Sequence, residues 1–229
     1  MFKRLTLAAI GAFGLMTASA NAAIIGLYQY DANIDGVVSF DIGFTDPVPG
    51  QMDISSFDTL TGLGDIKVTV GGSGSHYVGI LFDLEIDEAI NTYFNENGEA
   101  INVGSLLPGQ SWEIDEPGFL FGDIATNFDN MALDNSNGVP PGLEDDVSVA
   151  LAFDFTLGVD QVAVIMFSVS ESAPNGGFYI AHNDPDSDAT VYYYSTVSIR
   201  DIQVPAPGGL ALLGLGLIAA GYLRRRHNG

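Results

Sequence analysis

The sequence predicts an all-β fold, an antiparallel β-sandwich with jelly-roll-like or Greek-key wiring, and three observations carry that prediction. Between Ile24 and Gln203 apolar residues come in short runs, several alternating with polar residues at the two-residue period of a strand. Gly, Pro, Asn and Asp cluster between those runs, where chain reversals need them. The 3.6-residue period of an amphipathic helix is missing from nearly all of this body.

Taken in order, Val37 to Phe44 alternates and meets the breakers Asp46-Pro47-Val48-Pro49-Gly50. Ile66 to Val70 alternates and stops at Gly71-Gly72-Ser73-Gly74. Tyr77 to Ile86 is more continuously apolar, as a strand near a sheet centre would be. Asp87 to Asn95 is the one segment that invites a helix, of about two turns given the Asn and Gly around it. Ser111 to Ile114 and Gly118 to Phe121 read as strands, and Asn127 to Asp146 is the longest irregular stretch. Val147 to Leu157 and Gln161 to Val169 are joined only by Gly158-Val159-Asp160, too short for a parallel crossover, so an antiparallel hairpin is expected. Phe178 to Ala181 and Thr190 to Ile199 complete the set. With no internal repeat and no long polar linker, residues 23–203 form one expected domain.

Charge divides the chain into a body and two ends. Of 229 residues, 29 are acidic and 7 basic, a formal net charge of −22. Lys3 and Arg4 open the chain and Arg224, Arg225 and Arg226 nearly close it, so Lys67 and Arg200 alone face all the acids, which lie between Asp31 and Asp201. Such a body repels nucleic acid phosphates and anionic lipids, which excludes nucleic acid binding, and it attracts hard cations, Ca²⁺ above all. The chain has no cysteine, so disulfides, thiolate zinc sites and cysteine nucleophiles are excluded. With 14 Phe, 9 Tyr and 47% hydrophobic residues there is material for an apolar core.

The ends read as addresses. Lys3 and Arg4, the apolar run from Leu5 to Met16 and the small residues Ala18 to Ala22 have the three-part layout of a secretory signal peptide over residues 1–22. Gly208 to Leu223 carries no charge, and as a helix of about 16 residues it spans roughly 24 Å. Val204 to Pro207 and snorkelling arginines make up the difference to a hydrocarbon core of about 30 Å. The arginines favour the cytoplasmic side, leaving the acidic body outside.

The short proline motif Val204-Pro205-Ala206-Pro207, the Gly-, Ala- and Leu-rich run from Gly208 to Leu223 and the cluster Arg224, Arg225, Arg226 together resemble the PEP-CTERM sorting signal of Gram-negative bacteria. The family's usual Pro-Glu-Pro is Pro205-Ala206-Pro207 here. The resemblance covers residues 204–229, and it implies processing by an exosortase, an inner-membrane anchor before processing, and a place in exopolysaccharide or biofilm matrix. A plain, uncut membrane anchor is the alternative that hydropathy alone allows.

Within the body, YDANIDG places Asp31, Asn33, Asp35 and Gly36 as in the first half of a calcium loop, where alternate oxygens converge on the ion. The bidentate glutamate of the twelfth position is replaced by Ile42, and a β-turn between two strands explains the same residues. HNDPDSDAT sets Asp184, Asp186 and Asp188 at every second residue, on one face of a strand, around an ion in a loop, or in an exposed acidic turn. Glu144, Asp145 and Asp146 form a third acidic group. Trp112 is either a sugar-binding ring or a core residue, and of Tyr192-Tyr193-Tyr194 alternation turns Tyr192 and Tyr194 to one face, where they are candidate glycan contacts.

No catalytic residue stands out. Any two of 29 acids can be nominated as a glycosidase pair, neither His76 nor His182 lies near a nucleophile elbow, and no phosphate loop is present. The expectation is an exported, non-enzymatic structural or adhesive protein of the cell surface or extracellular matrix. A calcium-dependent carbohydrate-binding module and a polysaccharide hydrolase are the alternatives.

Overall fold

The computed structural model describes residues 24–89, 91–117 and 121–202. The expected signal peptide (1–22), the sorting motif and apolar tail (204–229), and most of the strand expected from Gly118 to Phe121 lie outside them. Among the described residues eleven strands occur: β1 (Ile25–Ile34), β2 (Val37–Ser39), β3 (Met52–Phe57), β4 (Gly64–Gly71), β5 (Gly74–Ile86), β6 (Asn97–Ile101), β7 (Gln110–Asp115), β8 (Ser148–Leu157), β9 (Gln161–Ser170), β10 (Tyr179–Asp184) and β11 (Ala189–Asp201). A short helix, α1, spans Ile124–Asp129.

The strands pair antiparallel into two sheets, in the orders β2-β1-β5-β8-β7 and β3-β4-β9-β11-β10-β6. Period-two alternation decides what lies between them. Val78, Ile80, Phe82, Leu84 and Ile86 of β5 and Val149, Leu151 and Phe153 of β8 share one core with Ile66, Val68 and Val70 of β4 and Ala163, Ile165 and Phe167 of β9. Each such side chain contributes roughly 1.5–3 kcal/mol on leaving water. The Phe82 ring lies 6.2 Å from Phe57 and 5.6 Å from Tyr193, joining both sheets through aromatic contacts.

The other face of the first sheet is covered too. Tyr77 and Leu81 of β5 and Ala150 and Ala152 of β8 pack beneath Ile124, Phe128 and Leu133, a second apolar cluster. This double burial is why Tyr77 to Ile86 reads as a continuous apolar run: β5 is the central strand of its sheet.

Several expectations are corrected. β8 and β9 do not pair with each other. β8 lies between β5 and β7, and β9 between β4 and β11, so the link through Gly158 to Asp160 crosses from one sheet to the other. A short link dictates reversal of direction, and it leaves open whether the reversed strand hydrogen-bonds beside its predecessor or stacks over it. Here the apolar faces of the two strands both enter the core, which stacking satisfies.

Asp87 to Asn95 holds a single 3₁₀ turn, Tyr93–Asn95, with Thr92 accepting a hydrogen bond from the Phe94 amide. The strand expected to reach Phe44 ends at Ser39, because Asp41 and Gly43 take left-handed φ of 44° and 96°. β1, β3, β6 and α1 were not expected: MDISSF and NGEAI carry little apolar alternation, β1 is interrupted by a bulge, and α1 is shorter than two turns.

Candidate metal centre

On β5 the residues between the core positions face away from the second sheet. Two of them, Asp83 and Glu85, are acidic, and Asp83 stands directly opposite Ser148 in the β5–β8 register. Asp146, just before β8, completes the group. One carboxylate oxygen from each of Asp83, Glu85 and Asp146 lies within 4.8 Å of the others, an arrangement that could hold a metal ion. Asp83 is 6% exposed and Ser148 fully buried. Asp83 Oδ1, Glu85 Oε2, Asp146 Oδ1 and Ser148 Oγ are all buried without a hydrogen-bond partner among the described residues.

Burying one polar oxygen without a partner costs about 1–3 kcal/mol, so four in one place is an arrangement that a ligand explains and a hydrophobic core does not. Electrostatics points the same way. Two ionised carboxylates at such separations repel by roughly 3–4 kcal/mol at an effective dielectric constant of about 20. Without a counter-ion the group must hold protons. Burial first, then the charges of Asp146 and Glu96, lift the Asp83 carboxyl to about 8; Ser148, which makes no well-formed hydrogen bond to it, does not offset this. Burial and the neighbouring acids likewise lift Glu85 to about 8, and burial with Glu96 and Asp145 lifts Asp146 to about 6.

Beside this group the second sheet contributes a satisfied polar pair. Glu96 and His182 are both fully buried, and His182 Nε2 meets Glu96 Oε2 at 2.5 Å while its Nδ1 lies 3.2 Å from the Tyr193 hydroxyl. The other Glu96 oxygen accepts the Ile86 amide at 2.8 Å. Paired backbone hydrogen bonds between Glu96 and Asp145 fix the approach of Asp146 to the carboxylate group.

A second group, Glu113, Asp115 and Asp123, is equally close. The oxygens of Glu113 and Asp115 are spoken for: Asn127 Nδ2 and the Asp134 amide donate to Glu113, and the amides of Glu116 and Asp123 donate to Asp115. Burial still lifts Glu113 to about 7. Those bonds hold the covering segment down over the sheet, a structural use of the same residue type.

The residues singled out from sequence are dispersed. Asp31 and Asn33 lie in β1, on its face toward α1, where Asp31 accepts from Gln29 Nε2 and the Asp41 amide, and Asn33 Nδ2 donates to the Phe128 carbonyl. Asp35 and Gly36, with φ of 54° and 81°, make the two-residue β1–β2 turn, whose left-handed backbone suits the Asp-Gly pair. Asp35 also accepts from the Tyr77 amide and binds His76 Nδ1, whose other nitrogen faces the Gly72 carbonyl. The three are engaged by protein donors, and the turn reading accounts for them.

Asp184 ends β10 as the acceptor for Asn91, Asn95, Ser187 and the Asp186 amide; burial would raise its carboxyl, and these bonds together hold it below the ordinary range. Asp186 shares the Asn95 amide and Asp188 sits at the turn with φ of 56°. Glu144 accepts the Gly142 amide, which leaves Asp146 as the one member of the third acidic group to join the candidate centre.

Trp112 is a core residue, 6% exposed with its ring 5.7 Å from Phe178, so its alternative as a sugar contact is set aside. Tyr193 points into the core, and Tyr192 and Tyr194 are half-buried on the outer face of the second sheet, Tyr192 edge-on to Tyr179.

Asp83 and Glu85 escaped the sequence reading although a signal was there. Two acids at alternate positions inside the most apolar strand are an expensive placement that a bound cation would explain. No family model, curated protein or solved structure matches this chain.

Proposed function

We propose that this chain is an exported, non-enzymatic component of the cell surface or extracellular matrix, sorted through its PEP-CTERM-like tail, whose β-sandwich carries a structural Ca²⁺ held by Asp83, Glu85 and Asp146. The observation that supports the reading of the body is the set of four buried, unpartnered oxygens around three carboxylates at the heart of a sheet. Ca²⁺ fits because it takes six to eight oxygen ligands in irregular geometry, while Mg²⁺ demands a near-octahedral shell and keeps its water. An ion that stitches β5 to the approach of β8 would serve stability in a cysteine-free protein. The acidic surface suits an exterior rich in divalent cations.

The sorting part of the proposal rests on the ends of the sequence. An exosortase is the expected processing partner, the inner membrane the first anchor and exopolysaccharide the matrix neighbour. Fractionation of the native host tests it. Mature protein should leave the membrane for the surface or medium and accumulate in the membrane with its tail intact when the exosortase is deleted. Full-length protein in the cytosol, with both ends retained, overturns it.

A second reading, a calcium-dependent carbohydrate-binding module, is favoured by the outer face of the second sheet, where Tyr179, Tyr192 and Tyr194 are half-buried rings on adjoining strands. Aromatic rings on adjoining strands offer faces for stacking against sugar rings, although Tyr179 and Tyr192 stand edge to face rather than coplanar.

A further inference from the structure

A cavity of about 220 Å³ lies where the edges of the two sheets meet, between the start of β1, the loop after β2 and Ile54 of β3. β2 pairs with Ala32, Asn33 and Ile34, so among the described residues the first half of β1 lacks a strand partner on that side. The loop from Phe40 to Asp46 takes its place, with the Ile42 amide donating to the Tyr30 carbonyl.

Two aromatic residues line this cavity in exposed positions, and the backbone holds both there. Leu27 pairs with Leu84 and Gln29 with Asp83, so Tyr28 is the extra residue of a β-bulge, and it is 69% exposed. Bulges of this kind re-aim a side chain. Phe44 is 88% exposed, yet its loop is tied by the amides of Phe44 and Thr45 to the Asp41 carbonyl and by the Gly43 amide to the Asp46 carbonyl. A large apolar ring kept in water on a rigid support is a feature that folding does not require. Tyr30 closes the floor of the cavity as a core residue, 2% exposed. Asp41 adds a carboxylate.

We infer that this cleft binds a neutral hexose unit of a polysaccharide, its apolar face against Tyr28 and Phe44 and its hydroxyls toward the Asp41 carboxylate. The ligand chemistry follows from the lining. Rings offer a face to the C–H side of a pyranose, while a carboxylate accepts from its hydroxyls. Asp41 and the acidic body repel uronates and sulfated sugars. The volume is below the roughly 300–1,000 Å³ of drug-sized sites, which suits a single sugar unit of a longer chain entering at a sheet edge. This inference rests on the matrix role proposed above and names what the body would hold there.

The test uses the full chain in detergent micelles, titrated calorimetrically with neutral hexamers of β-1,4-glucose, α-1,4-glucose and β-1,4-mannose, with polygalacturonate as the acidic comparison. Binding of at least one neutral hexamer and none of polygalacturonate is expected. Phe44→Ala and Tyr28→Ala should each weaken it about tenfold or more, with melting temperature unchanged because both side chains are exposed. No neutral binding, equal binding by the variants, or preference for polygalacturonate overturns the inference, as does self-association of the wild type that Phe44→Ala abolishes without any sugar binding. Neutral binding lost in the variants, with cell fractionation placing the protein away from the matrix, keeps the cleft and removes the matrix role. A matrix location with binding unchanged in the variants does the reverse.

Discussion

Asp83 and Ser148 face each other across the β5–β8 ladder, and each buries an oxygen that no partner among the described residues satisfies. With Glu85 and Asp146 beside them, the pair belongs to a group that could hold a metal ion, and the Ca²⁺ proposed for it would offset the cost of those bare oxygens. The first prediction follows from that offset. Saturating Ca²⁺ at about 100 times its dissociation constant contributes roughly 2.7 kcal/mol, which raises the melting temperature of a body this size by about 5–10 °C. In Asp83→Asn the Ca²⁺-dependent rise should vanish while the ion-free melting temperature holds or increases, since the buried carboxyl that must otherwise be kept protonated is gone. Scanning calorimetry with Ca²⁺ and with EDTA checks both; an undiminished rise in the variant places the ion elsewhere.

The same carboxyls give the ion-free protein an inverted pH dependence. Asp83 and Glu85 titrate at about 8 and Asp146 at about 6 when folded, all above their unfolded values, so the folded state keeps protons that the unfolded chain releases above about pH 4. Their contribution is fully present below that pH and is lost as pH rises through 6 to 8. In EDTA the melting temperature should fall from pH 5 to pH 9, more gently in the double variant Asp83→Asn, Glu85→Gln. A slope unchanged by those substitutions assigns the effect to the general acidic surface instead.

Glu96 and His182 make the opposite case, a buried polar pair with its partners present. Removing one partner of such a pair typically costs about 3–5 kcal/mol, because the other is left buried and uncompensated. His182→Ala is therefore expected to lower unfolding free energy by that amount in urea titration, with an unchanged m-value. A loss under about 1 kcal/mol would mean that solvent reaches Glu96.

Trp112 gives a spectroscopic check on the core. As the one tryptophan, packed against Phe178, it should emit at short wavelength in the native protein and shift red only on unfolding. Sugars entering the Tyr28–Phe44 cleft should leave its emission unchanged. Trp112→Ala is expected to cost about 3–5 kcal/mol by urea titration.

Much of the architecture was legible because strand alternation and turn residues are local. β4, β5, β7, β9 and β11 fall close to the runs read for them, and Asp35-Gly36 performs the turn its composition suggests. The candidate site was legible only as a fragment, Asp146 within an acidic triplet. Asp83 and Glu85 were hidden inside an apolar run, and the more conspicuous Asp184, Asp186 and Asp188 serve a turn and its asparagine partners.

The amino-acid order alone determined the class of fold, the placement of polar turns and the separation of charge between body and ends, since each depends on neighbours a few positions apart. Only the tertiary structure decided that β8 and β9 belong to different sheets, that Trp112 is core, and that Asp83 meets Ser148 and Asp146. Those outcomes turn on which distant strand supplies the hydrogen bonds and which face is covered. Many strands here offer similar edges and similar apolar faces, so the choice among them is made by packing the whole sandwich at once.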